Sequence, residues 1–323
     1  MNQFQPQAIA EDPAVAVSRL EKAPSWYKQC PVLACEQANT GKVSSVDPVA
    51  QTSRWMAAAR ARESEHPYRL FNDPLATALA GPEGFSWLER MEPVPRFGGP
   101  ALYVVVRTRF FDDFLLYASW GAGLRQVVIL AAGMDARAFR LDWPPGTRLY
   151  ELDRPEVLDG KDEVLARAGA RPACERHAVR ADLRHPSWIE ALLDAGYDDR
   201  EPSVWLVEGL LFYMTGDAVR KLLEMAGTLA VPRSLLGLDL VNRDLLNSPT
   251  MRPLLAAFAQ RGASGSFGVN NPEALLGEYG WNAEVTQSGE WAANYGRWAY
   301  PVTLRGIPNI PRIFFVRAWR SGS

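Results

Sequence analysis

The sequence has few of the residues that mark disulfide-linked, secreted or membrane-spanning proteins. Its 323 residues include three cysteines, Cys30, Cys35 and Cys174, and none of them forms a C-x-x-C pair. We therefore expect reduced, unpaired thiols rather than a disulfide framework. No uncharged apolar stretch approaches the roughly 20 residues that a membrane helix needs. The beginning lacks a basic segment followed by an apolar run, so we expect a cytoplasmic protein without a signal peptide.

The chain also has no excess of one charge, and it has few histidines. Its 35 basic and 37 acidic side chains give a net charge of −2, whereas nucleic-acid-binding proteins usually carry a basic excess. The three histidines, His66, His177 and His185, form no cluster with other ligands at metal-binding spacing. We therefore expect a metal-independent activity with no nucleic-acid or membrane partner. The composition leaves the oligomeric state open.

What the sequence does contain is a regular alternation of apolar strands and helices. Residues 126–131 (QVVILA) form a continuous apolar run, which is typical of a strand buried on both faces. Further strands are predicted at 147–152, 176–180, 203–207 and 234–241, and the helices between them at 155–168, 186–195 and 216–229. This alternation predicts an α/β fold, a doubly wound parallel sheet with helices on both faces. Two later strands, at 282–287 and 312–319, suit an antiparallel final pair.

Two parts of the chain depart from this alternation. Residues 1–47 are weakly periodic with scattered prolines and are predicted to form an N-terminal extension. Helices are then predicted from Ser53, from Asp73 to Leu79 with an end at Gly81-Pro82, and over 101–119. Residues 243–280 are rich in Gly, Ser, Asn and Pro, and we expect them to form an inserted lid after the fifth strand.

Acidic residues follow the carboxyl ends of the predicted strands: Asp135, Glu151, Asp153, Asp182, Glu208 and Asp239. In an open α/β sheet, ligands bind in the crevice outside these strand ends. A crevice lined with acids attracts a cation and repels phosphates. S-adenosylmethionine carries a sulfonium, an ammonium and two ribose hydroxyls but no phosphate. The pattern therefore indicates this cofactor.

The turn after the first strand, LAAGMD (130–135), is built from small residues that let the backbone approach a ligand. Ala131-x-Gly133-x-x-Ala136 is a degraded dinucleotide fingerprint, and Asp153 follows about 20 residues later. Asp135 inside the turn would oppose a pyrophosphate, and Ala131 replaces the first glycine of dinucleotide enzymes. Both features favour S-adenosylmethionine over NAD. An NAD-dependent oxidoreductase is the alternative from another reaction class.

Three of the acids have both a functional and a structural interpretation. Asp153 can accept hydrogen bonds from both ribose hydroxyls, or it can cap the helix that begins near Pro155. Asp182 can hold the adenine amino group, or it can be a helix cap or a surface acid. Glu208, at the end of the apolar strand SVWLV, is expected to face the crevice, with a buried salt bridge as the alternative.

Several unusual segments occur in order between about residues 50 and 242: AAARARE (57–63), NDPLA (72–76), VRTRFFDDFL (106–115), QVVILAAGMDARAFRLDWP (126–144), YELDRPEVLDGK (150–161), ADLR (181–184) and EGLLFYM (208–214). Together they resemble the leucine carboxyl methyltransferase superfamily, particularly its bacterial small-molecule branch. The resemblance implies a Rossmann-like class I methyltransferase domain over residues 48–323 and S-adenosyl-L-methionine as the cofactor.

The resemblance also implies how the methionine end of the cofactor is bound. Arg107 of VRTRFF should bind the carboxylate, and Glu208 should face the ammonium. Arg60 of ARARE is a second candidate for the carboxylate, and Arg62 fits nearly as well. The structural alternative for Arg107 is an ion pair with Asp112 or Asp113 across a helical turn.

The rest of the cofactor is expected to contact Ala131 and Gly133 in the turn, Asp153 at the ribose, and Asp182 and Leu183 at the adenine. The sequence departs from the family at Ala131, where glycine is usual, and at Ala136, where threonine is frequent. The added methyl group at residue 131 is expected to crowd the cofactor and weaken its binding somewhat.

The resemblance points to O-methylation of a carboxylate on a small organic acid or secondary metabolite. A carboxylate is ionised at pH 7, whereas a phenol, with a pKa of about 10, would benefit from a general base. We assign no catalytic residue, because orientation of the acceptor in line with the methyl group is the main requirement. The same fold methylating a phenolic hydroxyl is the nearest alternative.

Substrate contacts are expected from Tyr213, Asn242 and Arg243, since arginine can bind a carboxylate through two hydrogen bonds. A later aromatic stretch either forms a wall of the substrate site or serves packing; it contains Trp291, Tyr295, Arg297, Trp298 and Tyr300. The 11 tryptophans indicate an apolar or aromatic acid rather than a sugar or nucleotide.

Overall fold

Seven strands form one sheet in the computed structural model, which describes residues 48–91, 100–248, 265–298 and 300–321. The strands are Gln126–Leu130 (β1), Arg148–Asp153 (β2), Glu175–Arg180 (β3), Ser203–Val207 (β4), Leu235–Val241 (β5), Asn282–Gln287 (β6) and Ile313–Trp319 (β7). Their order is β3-β2-β1-β4-β5-β7-β6. Strands β1 to β5 are parallel, and β7 is antiparallel to both β5 and β6. The predicted doubly wound sheet with an antiparallel final pair is confirmed.

The α-helices of the described residues are Pro48–Glu65 (α1), Ala76–Met91 (α2), Pro100–Leu116 (α3), Arg137–Arg140 (α4), Pro155–Arg167 (α5), Trp188–Asp194 (α6), Gly216–Leu229 (α7), Arg243–Leu246 (α8) and Pro272–Gly277 (α9). A π-helical turn, Tyr117–Gly121, follows α3, and short 3-10 helices lie at Leu211–Tyr213 and Trp291–Ala293. Gly81 interrupts α2 with φ 59°, as the Gly-Pro pair predicted, but the helix resumes and continues to Met91. The sequence analysis missed this second segment and the short helix α4. In the described ranges, no helix has the length and apolarity to span a bilayer.

The sheet is buried on both faces because its central strands, β1 and β4, are apolar after their first residues, Gln126 and Ser203. Every residue of β1 and β4 is buried. On one face, Trp188 of α6 and Trp205 of β4 belong to a cluster that also includes the apolar side of α7. On the other face, α3 supplies phenylalanines, and Gly237 of β5 makes room for them, since a Cβ there would lie 2.7 Å from the ring of Phe114. Burial of each such aromatic ring contributes roughly 1.5–3 kcal/mol.

Helices α1 and α2 pack against the turn that follows β1. Trp55 of α1, Leu79 of α2 and Met134 of the turn share one buried cluster with α5. Of the predicted lid, residues 249–264 lie outside the described residues, as does the predicted extension 1–47. The described part of the lid packs on the body of the protein, where Val269 donates a hydrogen bond of 2.9 Å to the carbonyl of Val241. The carboxyl ends of β1, β2 and β4 thus face α1 and α3.

Candidate functional site

A cleft opens at the carboxyl ends of β1, β2 and β4, between the turns after these strands and helices α1 and α3. It contains about 790 Å³ of empty space, part of it open to solvent. The structure brings seven predicted site residues together in its lining: Arg60, Arg107, Ala131, Gly133, Asp153, Glu208 and Tyr213.

The turn after β1 forms the floor of the cleft and contains two residues in the left-handed conformation. Ala131 has φ 54° and Gly133 has φ 47°. A Cβ on Gly133 would lie 2.8 Å from the Cβ of Ser53, so α1 packs directly on this glycine. Ala131 adopts a conformation that costs an alanine about 1–2 kcal/mol and costs a glycine almost nothing. The predicted departure at residue 131 therefore carries strain.

Asp153, the last residue of β2, is hydrogen-bonded to this turn. Its Oδ2 accepts a hydrogen bond of 2.7 Å from the backbone N–H of Gly133, and its Oδ1 accepts one of 2.8 Å from Arg154. Burial raises the pKa of Asp153, and the two backbone hydrogen bonds oppose that rise. Each carboxylate oxygen has a second lone pair, so Asp153 can still accept hydrogen bonds from hydroxyls in the cleft. Helix α5 begins after Arg154 without a side-chain cap, so the capping alternative is not observed.

The row of acids does not make the cleft negative in the way that the sequence indicated, because most of these acids contact basic side chains. Glu151 is buried outside the cleft lining, with Lys161 Nζ at 2.7 Å and Arg176 Nη2 at 2.8 Å. Asp182 pairs with Arg184 at 2.5 Å. The other pairs are Asp135 with Arg137, Glu208 with Arg107 and Arg137, and Asp239 with Arg107. The expectation of a crevice lined with uncompensated acids is therefore wrong. Because Asp135 is paired, its charge is not evidence against a bound pyrophosphate.

The pairs of Asp135, Glu208 and Asp239 belong to one ion network beside the cleft. Its members, in order of contact, are Arg60, Asp73, Arg140, Asp112, Arg137, Asp135, Glu208, Arg107 and Asp239. Four guanidinium groups and five carboxylates leave one excess negative charge. A ligand with a sulfonium, an ammonium and a carboxylate has a net charge of +1. The charge of the whole network, rather than a row of free acids, matches this ligand.

Arg107 and Glu208 fit the amino-acid end of such a ligand. Nε of Arg107 lies 2.8 Å from Oε1 of Glu208, but the contact lacks hydrogen-bond geometry. Nε of Arg107 and Oε2 of Glu208 are both buried without a hydrogen-bond partner among the described residues. Both atoms lie in ion contacts of 2.8 Å, and a guanidinium and a carboxylate side by side in one cleft suit a carboxylate and an ammonium carried on one carbon. The residues present therefore fit S-adenosylmethionine.

Helix α3 and the sheet hold Arg107 in place. Its Nη1 donates hydrogen bonds of 3.0 Å to Oη of Tyr103 and to Oδ2 of Asp239. Burial alone would lower the pKa of Arg107, but contact with Tyr103 and the carboxylates raises it well above its usual value. The alternative ion pairs within α3 are not formed, because Asp112 contacts Arg137 at 2.7 Å and Asp113 contacts Arg109 at 2.9 Å.

Arg137 of α4 also lines the cleft, and the sequence analysis did not single it out. Its Nε donates a hydrogen bond of 2.7 Å to Asp112, and its Nη1 lies 2.8 Å from Oε2 of Glu208. Burial would raise the pKa of Asp135, but the charges of Arg137, Lys161, Arg60 and Arg140 together outweigh burial and lower that pKa to about 2. The available signal was its position in the segment GMDARAFRL, directly after the cofactor turn.

Arg60 and Tyr213 both line the cleft. Nη2 of Arg60 donates a hydrogen bond of 2.5 Å to the carbonyl of Met134, and its Nε donates one of 2.8 Å to Asp73. Arg62, the alternative on the same helix, is not part of the lining. Burial raises the pKa of Tyr213 well above its usual value, so this phenol stays protonated.

Four predicted site residues lie outside the cleft lining. Asp182 binds Arg184, and Leu183 packs against the core cluster beneath α6. Asn242 caps α8, and its Oδ1 accepts hydrogen bonds from the backbone N–H groups of Leu245 at 2.9 Å and Arg312 at 2.8 Å. Arg243 is exposed at the start of the same helix. The structure does not bring these four together with the other site residues.

The aromatic stretch near the end of the chain also lies outside the cleft lining. Tyr295 donates a hydrogen bond of 3.1 Å to Asp113, and Arg297 pairs with Glu63 at 2.8 Å. Trp291 is 95% exposed. The remaining pair, Trp298 and Tyr300, makes an edge-to-face contact with ring centroids 5.8 Å apart. These contacts favour the packing interpretation over a substrate wall.

None of the three histidines lines the cleft. His66 contacts Arg297, His177 stacks on Tyr150, and His185 lies in the turn before α6. Within the described ranges, no group of three His, Cys, Asp or Glu side chains has a geometry that could hold a metal ion.

Comparisons with known proteins agree on one family. Residues 53–227 match the family described as leucine carboxyl methyltransferase. A protein of Parafrankia sp., provisionally named as an S-adenosyl-L-methionine-dependent methyltransferase, is 41% identical over 252 residues, which cover 74% of this chain and 79% of the relative. A protein of Streptomyces coelicolor with the same provisional name is 41% identical over 271 residues, covering 80% of this chain and 92% of the relative.

Two crystal structures share the fold at low sequence identity. A DUF574 family protein of Streptomyces avermitilis aligns with a TM-score of 0.55 and 15% identity, covering 83% of this chain and 97% of that protein. A protein of Thermobifida fusca, provisionally described as a methyltransferase, aligns with a TM-score of 0.54 and 17% identity, covering 84% of this chain and 94% of that protein.

Proposed function

The chain belongs to the leucine carboxyl methyltransferase family, and on that premise we propose that it transfers a methyl group from S-adenosylmethionine to a carboxylate of a small organic acid. Dependence on S-adenosylmethionine accords with the names of the relatives and with the fit of Arg107 and Glu208 to a zwitterion. Membership in this family excludes the alternative hypothesis of an NAD-dependent oxidoreductase, which the sequence of the turn after β1 had left open.

Different residues of the cleft bind different parts of the cofactor. Arg107 binds the carboxylate of its amino-acid end, Glu208 accepts hydrogen bonds from the ammonium, and Asp153 accepts hydrogen bonds from the ribose hydroxyls. When bound, the cofactor supplies an activated methyl group. The protein then needs chiefly to orient the acceptor, which can lower a barrier by up to roughly 7–11 kcal/mol.

The observation that carries the carboxylate assignment is the lack of a general base. Among the described residues that line the cleft there is no histidine, lysine or cysteine. Burial raises the pKa of Tyr213 well above its usual value, Asp135 is paired with Arg137, and Glu208 lies between two arginines, so the remaining carboxylate of this lining is Asp153, which is assigned to the ribose. A phenol would have to lose its proton to a base of suitable pKa, whereas a carboxylate is already ionised at pH 7.

The cleft wall beside Tyr213 suits a small, partly apolar acid. Met56 of α1 and Leu210 in the turn after β4 line the same cleft as Tyr213. Thr52 and Ser53 add hydroxyl groups on the α1 side. We expect the organic part of the acceptor to contact the apolar side chains and its carboxylate to lie toward the cofactor.

Methyl transfer to a panel of acids and phenols tests this function. The protein is incubated with methyl-labelled S-adenosylmethionine and one candidate acceptor at a time. The acceptors are aliphatic carboxylic acids, aromatic carboxylic acids and matched phenols. We expect label in products that mild alkali hydrolyses, because methyl esters are cleaved and aryl ethers are not. His66→Gln and His185→Gln should leave turnover unchanged, since neither histidine lines the cleft. Label confined to alkali-stable products of phenols would contradict the carboxylate assignment.

A further inference from the structure

Glu208, the proposed acceptor for the cofactor ammonium, lies between two arginines from different helices. Its Oε1 lies 2.8 Å from Nε of Arg107 on α3, and its Oε2 lies 2.8 Å from Nη1 of Arg137 on α4. A carboxylate oxygen has two lone pairs, so the ion contact with Arg137 does not prevent Oε2 from accepting a hydrogen bond from a ligand. Arg137 therefore restrains this oxygen and leaves its hydrogen-bonding capacity to a ligand.

Arg137 is itself held by a buried carboxylate that does not line the cleft. Oδ1 of Asp112 accepts hydrogen bonds of 2.7 Å from Nε of Arg137 and from Nη2 of Arg140. Oδ2 of Asp112 accepts a second bond of 2.7 Å from Arg140, which completes a two-bond pair. Asp112 is 3% exposed and Arg137 is 2% exposed. This two-bond pair with Arg140 fixes the carboxylate of Asp112, and Arg137 also donates hydrogen bonds to Asp135 and to the carbonyl of Thr108, so its guanidinium has little freedom to rotate.

The two arginines that contact Glu208 both depend on helix α3 for their position. Arg107 and Asp112 both lie on α3, and Asp112 connects that helix to α4 through Arg137. Any shift of α4 relative to α3 would move one arginine with respect to the other and so turn the carboxylate of Glu208 between them. The ion contacts thus link the position of the turn after β1 to the orientation of Glu208 at the end of β4.

We propose that Arg137, anchored by Asp112, is a positioning residue that orients Glu208 toward the cofactor ammonium. The proposal rests on the cofactor site described above and is independent of which acceptor is methylated. The competing interpretation is that Asp112 and Arg137 merely fasten α4 to α3. The two interpretations predict different changes in ligand affinity for a variant. Only the amino-acid end of the cofactor reaches Glu208, so a loss of positioning should weaken only ligands that carry this end.

Two ligands that share the nucleoside but differ at the amino-acid end provide the test. S-adenosylhomocysteine carries the ammonium, and 5′-methylthioadenosine lacks it. Arg137→Lys keeps the charge, but its single nitrogen cannot hold both Asp112 and Glu208. By calorimetry we expect its affinity for S-adenosylhomocysteine to fall about tenfold, as for a weakened hydrogen bond to a charged group, with methylthioadenosine affinity unchanged. Equal losses for both ligands would overturn the proposal.

One further variant, Asp112→Asn, keeps the test decisive even if Arg137→Lys folds poorly, and a double variant measures the coupling to Glu208. Asp112→Asn removes the anchoring charge and should give the same selective loss, smaller than that of Arg137→Lys. In a Glu208→Gln background, Arg137→Lys should change S-adenosylhomocysteine affinity less than about twofold, because coupled residues do not add. Additive losses would overturn the proposal.

Arg109→Lys is the matched control on α3, since Arg109 contacts Asp113 at 2.9 Å and does not line the cleft. Its affinity for both ligands should equal that of the wild type. Because binding is measured without an acceptor, a wrong acceptor class leaves these results unchanged. If the wild type bound neither ligand, the cofactor site itself would be refuted and the proposal with it.

Discussion

Replacement of Asp153 by asparagine tests the ribose-binding end of the cleft. Both carboxylate oxygens of Asp153 accept backbone hydrogen bonds, at 2.7 Å from Gly133 and 2.8 Å from Arg154. The amide introduced by Asp153→Asn would offer one oxygen, and its NH₂ group would face a second backbone donor. One buried N–H would then lack an acceptor, which costs about 1–3 kcal/mol of unfolding free energy.

The same change removes a charged acceptor from the ribose. A hydrogen bond to a charged group contributes about 1.5–3 kcal/mol, so the dissociation constant for S-adenosylhomocysteine should rise roughly 10- to 150-fold. Isothermal titration calorimetry measures the affinity, and urea unfolding of the same sample measures the stability.

Asp198→Asn is the matched control for Asp153→Asn. Asp198 pairs with Arg200 at 2.8 Å before β4 begins and does not line the cleft. The control variant should bind the ligand like the wild type. A folded Asp153→Asn protein with unchanged affinity would refute the ribose assignment, whereas a loss of stability alone would show that Asp153 serves only the turn.

Three further predictions concern the turn after β1 and the pH dependence of binding. Gly133→Ala should lower the unfolding free energy by roughly 1–3 kcal/mol in urea titrations, because φ is 47° and the new Cβ would lie 2.8 Å from Ser53. Ala131→Gly should release about 1–2 kcal/mol of backbone strain, offset by about 0.4–1 kcal/mol of unfolded-chain entropy, so stability should hold or rise slightly and cofactor affinity should not fall. Burial raises the pKa of Asp153 above 3.8, and the ribose needs the ionised form, so calorimetric affinity should fall as the pH falls through that raised pKa.

Each of these predictions has its own control. Gly123→Ala also places a Cβ at positive φ, 74°, but nothing lies within 4 Å, so it should cost less than Gly133→Ala. Ala131→Val should reduce stability, because a branched side chain is disfavoured at positive φ. Asp135, whose pKa is lowered to about 2 by several basic neighbours despite burial, should stay ionised over the pH range in which Asp153 titrates. Affinity that is constant over that range would contradict the role of Asp153.

The sheet could be predicted because its signal is local. Strand β1 is an unbroken apolar run, and each parallel strand that follows is separated from the next by a helical pattern. Helix α4 was missed because four residues are too few to show a helical period. The second half of α2 was missed because Gly81-Pro82 predicts an end, and packing of Leu88 in the α1–α2 cluster restores the helix beyond it.

The site could be predicted only in part, because its charges are set by contacts between distant segments. The sequence shows that Glu208 follows β4, and the structure shows that Arg107 and Arg137 approach it from α3 and α4. The position of these acids after the strands therefore indicated where the cleft lies, but it did not show that basic side chains neutralise the acids. Asp182 and Arg243 also follow strands, yet their loops carry them out of the cleft lining. The direction in which a chain leaves a strand depends on tertiary packing that a single sequence does not reveal.

The central claim is that the methionine end of S-adenosylmethionine lies between Arg107 and Glu208, with its ribose at Asp153. A crystal structure with bound S-adenosylhomocysteine measures this directly. We expect the ligand carboxylate within hydrogen-bonding distance of Arg107, the ammonium within hydrogen-bonding distance of Oε2 of Glu208, and the ribose hydroxyls on Asp153. A ligand bound elsewhere, or bound here with the contact between Arg107 and Glu208 unchanged and its amino-acid end in solvent, would contradict the claim.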